Sequence, residues 1–211
     1  ALMKQIDVPY PMPPCLSEEK REEFMAWNTK LGFPRLKKMQ QHAAIMQIIA
    51  YGPSLKNTWQ EIDPHGFVMT MNGSLNFLIE KGMQPVAGKW FHIHVDPRSH
   101  KMEAFDPPNH HVTYLMASVS NPKMFWRLKG HRVVLWHAIS GPNTPNWVSR
   151  NDPNNLLVGA GSTVGLCSLH VSGVLGFYHF EIFGMDGSFD KEGNRHAGSH
   201  KGMEQGKRPS V

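Results

Sequence analysis

Short apolar runs alternate with helix-length stretches along most of this chain. Most runs stop at glycine, asparagine, aspartate or proline. The runs lie at residues 44–51, 67–71, 90–95, 112–119, 132–137 and 180–183. Each is too short for a typical helix, and most are nearly continuous in apolar residues. Strands buried on both faces read this way, and the helices between them supply the cover. The pattern predicts an α/β, Rossmann-like fold: a mostly parallel sheet of about six strands with helices on both faces. In such sheets ligands bind beyond the carboxyl ends of the strands.

The flanking signals complete the outline. Residues 1–16 are proline-rich and aperiodic, and read as an extended arm. Ser17 followed by Glu18 and Glu19 predicts a helix start. That helix runs to about Leu31, where Gly32 and Pro34 end it, and a second short helix is expected over 35–42. Further helices are expected over 74–81, over 122–129 with Gly130 at the end, and from Ser162 to about Leu175. A polar, Pro- and Asn-rich stretch over 138–155 reads as a long site loop. The division is thus an N-terminal arm with helices at 1–43, a Rossmann-like nucleotide-binding domain at 44–186, and a flexible tail at 187–211.

Composition narrows the function. A chain of 211 residues with 40% hydrophobic content can bury one sizeable core. The formal charge of +5 is modest and scattered, which suits a small anionic ligand and argues against nucleic acid. Cys15 and Cys167 fit no metal or disulfide spacing, so a reducing compartment is expected. With no leader-like opening and no apolar run of membrane-spanning length, a cytoplasmic location without a membrane span is expected.

Four polar clusters fall at predicted strand ends. In Gly52-Pro53-Ser54, glycine lets a ligand approach the backbone, and the amides and hydroxyl that follow can receive a phosphate. The same residues also make an ordinary turn with Ser54 as helix cap. Asn72, before Gly73, can hydrogen-bond a base or ribose, or simply form the turn. Asp96 and Arg98 offer a carboxylate for a metal or sugar hydroxyl and a guanidinium for a phosphate, or a local ion pair. Asp186, after Gly184, faces a ligand or caps a turn. A second glycine cluster places Gly161, Ser162 and Thr163 at a helix start, with Gly165 allowing close packing on the sheet; its spacing is not the dinucleotide fingerprint. His92 and His94 share one strand face, as a metal pair or as a satisfied core pair. In the tail, His196 and His200 are candidates for a general base or a phosphate contact.

Read in order, YGPSLKNTW, MNGSLNFLIEKGMQP, HVDPRSHK, GSTVGLCSLHVSGVLGFYHFEIFGMDGSF and HAGSHKG resemble the MptE-like and motility-accessory-factor group. More distantly they are similar to bacterial CMP-sialic-acid sialyltransferases. The likeness spans about residues 45–201. It implies a cleft for a nucleotide or nucleotide sugar, CMP-linked by preference, with an acceptor that the sequence does not name. By the sialyltransferase pattern, Gly52, Pro53, Ser54 and Asn72 contact the nucleotide. Gly161, Ser162 and Thr163 contact the donor, and a tail histidine is the base. This chain has HAGSH, one residue longer than that pattern, so the base falls on His196 or His200. Tyr51 stands where the pattern has asparagine. The implied reaction is transfer from a CMP-activated nonulosonic acid, with no cofactor required. The alternatives are a Mg²⁺-dependent pyrophosphokinase, with Asp96 and Asp186 holding the metal, and a non-catalytic nucleotide-binding or assembly module.

Overall fold

The computed structural model describes residues 16–99, 101, 103, 106–159 and 163–198. Helix α1 (Glu18–Thr29) opens it. Ser17 accepts a hydrogen bond from the Lys20 amide at 3.3 Å, and Glu18 and Glu19 sit in the positive first turn. Arg21, Phe24, Met25 and Asn28 are its buried residues, a spacing that puts them on one helical face.

The strands are β1 (His42–Ile49), β2 (Phe67–Met71), β3 (Trp90–His94), β4 (Val112–Ala117), β5 (Arg132–Ala138), β6 (Leu157–Val158) and β7 (Phe177–Phe183). Between them run α2 (Leu55–Thr58), α3 (Ser74–Glu80), α4 (Pro122–Arg127), α5 (Thr144–Asn151) and α6 (Val164–Val174). All strand pairs are parallel, in the order β6-β5-β4-β3-β2-β1-β7. The sheet has seven strands, one more than the sequence pattern predicts. The extra one, β6, has two residues, too few to register as an apolar run.

Alternate residues face two cores. Met46, Ile48, Met69, Met71, Ile93 and Leu115 pack with Cys167 and Val171 of α6. Ile49, Val68, Trp90, Val112, Tyr114 and Met116 pack with Leu55 and with Leu75, Leu78 and Phe125 of α3 and α4. Helix α6 leaves the β6 edge, packs on β1, β2 and β3, and delivers β7 to the far side of β1. The order of strands therefore reverses between β7 and β1, the place where open α/β sheets put a ligand crevice beyond the carboxyl ends.

Two expectations fail for a physical reason. Residues 35–42 form no helix. Leu36 donates to the Leu135 carbonyl and Leu135 to that of Pro34, both at 2.8 Å, while Met39 donates to Val174. This segment takes its hydrogen bonds from β5 and α6 rather than from itself. The expected loop at 138–155 contains α5, whose Thr144 and Val148 alone are buried; so narrow an apolar contact leaves little helical periodicity to read.

Candidate functional site

The crevice is built from the ends of β7, β1 and β2. Because every strand is parallel, Gly52, Asn72, Asp96 and Gly184 all follow their strands at one edge of the sheet. Gly52 donates to the Gly184 carbonyl at 2.7 Å. A Cβ on Gly52 would stand 2.5 Å from that carbonyl and 2.5 Å from Oδ2 of Asp186, so only glycine fits. Asp186 accepts the Ser54 amide at 2.8 Å and a short hydrogen bond from the Ser54 hydroxyl. Gly184 itself turns at φ +64° against the Ala50 carbonyl.

These bonds change what the loop can do. The amides of Gly52 and Ser54, and the Ser54 hydroxyl, are held by Gly184 and Asp186. The hydroxyl does not cap α2. What the loop presents is a strand-end corner whose donors are taken up by Gly184 and Asp186.

Asn72 behaves differently. Its φ is +52°, the one positive value at a non-glycine residue among those described. Its half-buried side chain makes no hydrogen bond among the described residues. Asparagine tolerates this left-handed conformation better than most residues, but strain at such positions clusters at ligand clamps. The turn is fixed from below by fully buried Ser74, whose hydroxyl lies 2.8 Å from the carbonyls of Ile49 and Met71 and accepts the Met71 amide at 3.0 Å. Ser74 thus ties β1 to β2 directly under the crevice. Sequence reasoning missed it, although a serine just after Asn-Gly at a strand end is a visible signal.

Tyr51 closes the other side. Its ring stacks on His196 at 5.6 Å, and Phe77 of α3 meets it edge-on at 6.2 Å. Ala197 donates to the Tyr51 carbonyl at 3.1 Å. Burial, reinforced by the charge of Glu80, pushes the Tyr51 phenol up, so it stays neutral. The preceding turn is anchored as well. Asn194 and Glu192 donate to Asp190, whose carboxyl is drawn down to about 2, and Lys56 of α2 pairs with it at 3.2 Å. His196 is thereby set beside the crevice.

The remaining candidates divide. Asp96 and Arg98 make a two-pronged ion pair, 2.7 Å at its shortest. Burial alone would raise the Asp96 carboxyl, but the bonds from Arg98 outweigh it and hold it low. His92 and His94 are a core pair. His92 Nδ1 lies 3.0 Å from the Thr70 hydroxyl, His94 Nε2 lies 2.8 Å from the Asp96 carbonyl, and burial drives His92 down to about 3. Among the described residues no three His, Cys, Asp or Glu side chains group to hold a metal. Both acids proposed for Mg²⁺ are already committed, Asp96 to Arg98 and Asp186 to Ser54, so neither fits a resident ion as placed. Thr163 caps α6, accepting from Leu166 at 3.3 Å. Gly165 lets α6 approach Met185, where a Cβ would stand 3.1 Å from Cε, which brings the helix start near Asp186. Gly161, Ser162 and His200 lie outside the described residues.

A buried polar relay also escaped the sequence. His137, at the end of β5, bonds Ser118 at 2.8 Å through Nδ1 and Asp152 at 2.9 Å through Nε2. Arg35 donates to the same aspartate at 3.0 Å. The serine and histidine are buried, and the chain pins residues 33–36 to β5.

Comparison with known proteins fits this architecture. The family model described as 6-hydroxymethylpterin diphosphokinase MptE-like matches residues 26–192. The chain belongs to the MptE-like family. A solved structure, the MAf glycosyltransferase from Magnetospirillum magneticum AMB-1, superposes with a TM-score of 0.67 at 14% identity, over 85% of this chain. At that identity the match speaks for the fold, and this chain spans only 29% of that protein. A mammalian sialyltransferase in complex with Gal-beta-1-3GalNAc-ortho-nitrophenol aligns over 89% of this chain and 79% of its own, with a TM-score of 0.44 and 16% identity. No curated protein matches the chain. No described helix is long and apolar enough to cross a membrane.

Proposed function

We propose that the chain is a nucleotide-binding transferase of the glycosyltransferase type, with a CMP-activated nonulosonic acid as the favoured donor. The observation that carries the reading is Asn72, left-handed, unbonded among the described residues and placed at the end of β2, next to the strand where the order reverses. Its side-chain amide is suited to a base or ribose edge. Gly52, Pro53 and Ser54 shape the adjoining wall, with Asp186 fixing Ser54. Thr163, with Gly161 and Ser162, borders the donor in this reading. His196 or His200 takes the proton of the acceptor hydroxyl as its oxygen bonds to the anomeric carbon, and the bond to the CMP phosphate breaks. The step inverts configuration and needs neither a covalent intermediate nor a cofactor.

The family description favours a second reading, a Mg²⁺-dependent pyrophosphokinase. It requires Asp96 and Asp186 to leave Arg98 and Ser54 for the metal. A thermal-shift panel of CMP, CDP, UDP, ATP and GTP, each with and without Mg²⁺, separates these. A ligand at about 100 times its dissociation constant adds roughly 2.7 kcal/mol of stability. Stabilisation by CMP without metal supports the transferase. Stabilisation by ATP only with Mg²⁺ supports the kinase, and no response leaves a module without nucleotide chemistry. On an active donor, loss of the base in His196→Ala or His200→Ala lowers turnover by about 10²–10⁴. Near-parent rates in both variants would sink the histidine mechanism.

A further inference from the structure

Strand β7 ends the sheet, and nothing among the described residues pairs with its outer edge. Its sequence, FYHFEIF, has neither proline nor lysine to discourage pairing. Tyr178 is 49% exposed and Ile182 50% exposed, unusual for large apolar residues on a strand, and His179 and Glu181 are exposed between them. Glu181 makes no ion pair among the described residues.

The hydrogen-bond parity of the strand is fixed by its inner neighbour. The Ala50 amide donates to the Phe183 carbonyl at 2.9 Å, so Phe183 turns its backbone polar groups toward β1. Alternation then turns those of His179 and Glu181 inward; below them the register against β1 shifts, and the His42 amide donates to the Gly176 carbonyl at 3.1 Å, which turns the Phe177 amide outward. The amides and carbonyls of Phe180 and Ile182, with the carbonyl of Tyr178, point to the open edge.

We propose that β7 pairs antiparallel with β7 of a second copy of this chain about a two-fold axis at Phe180, joining the two sheets edge to edge. In this register Phe180 faces its own copy, Tyr178 faces Ile182 of the partner subunit, and His179 faces Glu181 of the partner subunit. The outward backbone groups of Phe180 and Ile182 and the outward Tyr178 carbonyl fall in hydrogen-bonded pairs. The His179–Glu181 pairs fall in the narrow, non-bonded positions, where Cα atoms approach to about 4.5 Å and side chains meet. Each exposed apolar residue finds an apolar partner and each carboxylate finds an imidazole donor. A shift that centred the axis on Glu181 would set the two carboxylates against each other, so the charges select the register. A two-fold contact of this kind is closed and does not propagate into fibres.

The test is sedimentation equilibrium of the full chain and of three charge variants. The parent should dimerise. Glu181→Lys and His179→Glu should each weaken the dimer by roughly tenfold, because the imidazole–carboxylate hydrogen bond is lost at both symmetric pairs and His179→Glu also sets carboxylate against carboxylate. The double variant His179→Glu/Glu181→Lys should restore it. Phe180→Cys should cross-link to a covalent dimer on mild oxidation, its paired Cα atoms being within disulfide reach. A parent that is monomeric at every concentration overturns the proposal. If that monomer also protects the Phe180 and Ile182 amides from hydrogen exchange, the edge belongs to another segment of the same chain. A dimer indifferent to all three charge variants overturns the register and with it the proposed interface.

Discussion

Two glycine-to-alanine substitutions should move stability in opposite directions, and the difference tests the geometry of the crevice. In Gly52→Ala the new methyl meets the Gly184 carbonyl and Asp186 Oδ2, each at 2.5 Å. Asp186 can swing aside, but Gly184 is backbone and cannot move without loosening its 2.7 Å bond from the Gly52 amide. Overpacking of this sort costs about 1–3 kcal/mol, and a lost hydrogen bond adds about 1. The expected loss is therefore about 2–4 kcal/mol, roughly 4–16 °C in Tm for a chain of this size. Gly173 sits in α6 with open space where a methyl would go, no atom lying within 4 Å, and with no positive φ. There alanine relieves only the conformational freedom of glycine, a gain of up to about 0.5–1 kcal/mol. Urea denaturation of both variants reads the contrast directly. Adding Asp186→Ala to Gly52→Ala should recover part of the loss, since one of the two collisions disappears. A Gly52→Ala protein as stable as the parent would refute the close approach of β1 and β7 on which the crevice depends.

Other consequences follow from the buried polar groups. Burial holds His92, His94 and His137 neutral, below the ordinary value of 6.5, with hydrogen bonds partly opposing it for the latter two. Below pH 6.5 the unfolded chain binds protons that the folded one refuses, so stability falls as pH falls, approaching about 1.4 kcal/mol per pH unit per histidine. The low carboxyls of Asp96 and Asp152 lose their contribution only on further acidification, below the ordinary 3.8. Urea midpoints between pH 6.5 and 5 therefore isolate the histidines. His92→Gln should flatten the slope by about one proton, and a flat parent profile would contradict the burial. Asp152→Ala removes the acceptor shared by His137 and Arg35 and should cost about 2–3 kcal/mol in the urea midpoint, less than the full range for broken buried pairs because Arg35 keeps its bonds to Phe33 and Thr29. Asp152→Asn, which can still accept a bond, should lose less.

What the sequence disclosed follows from how its signals are encoded. A strand buried on both faces writes itself as a local apolar run, so β1 to β5 were legible, while the exposed edge strand β7 showed only over its last residues, 180–183; the parallel arrangement put the polar clusters on one edge. Pairings between distant segments leave no local mark. Ser54 and Asp186 are far apart in the chain, and nothing near either shows that the hydroxyl is spent on the carboxylate rather than held for a ligand. The relay from Ser118 through His137 to Asp152 and Arg35 is hidden for the same reason. Arg35 itself lies in a stretch whose composition suits a helix, and tertiary hydrogen bonds to β5 overrode that preference.

The same distinction explains why the candidate site narrows to Asn72 and its surroundings. The sequence offered many polar residues at strand ends, and any of them could serve a ligand. Folding spends most of them. Arg98 satisfies Asp96, Asp186 satisfies Ser54, and Ser74 satisfies the ends of β1 and β2. Each of these bonds makes the edge stiffer and removes one donor or acceptor from the surface. Asn72 remains, held at φ +52° by a turn whose foundation is buried, with an amide that no described residue uses. A rigid frame around one unspent hydrogen-bonding group is what recognition needs, because little ordering is left for a ligand to impose.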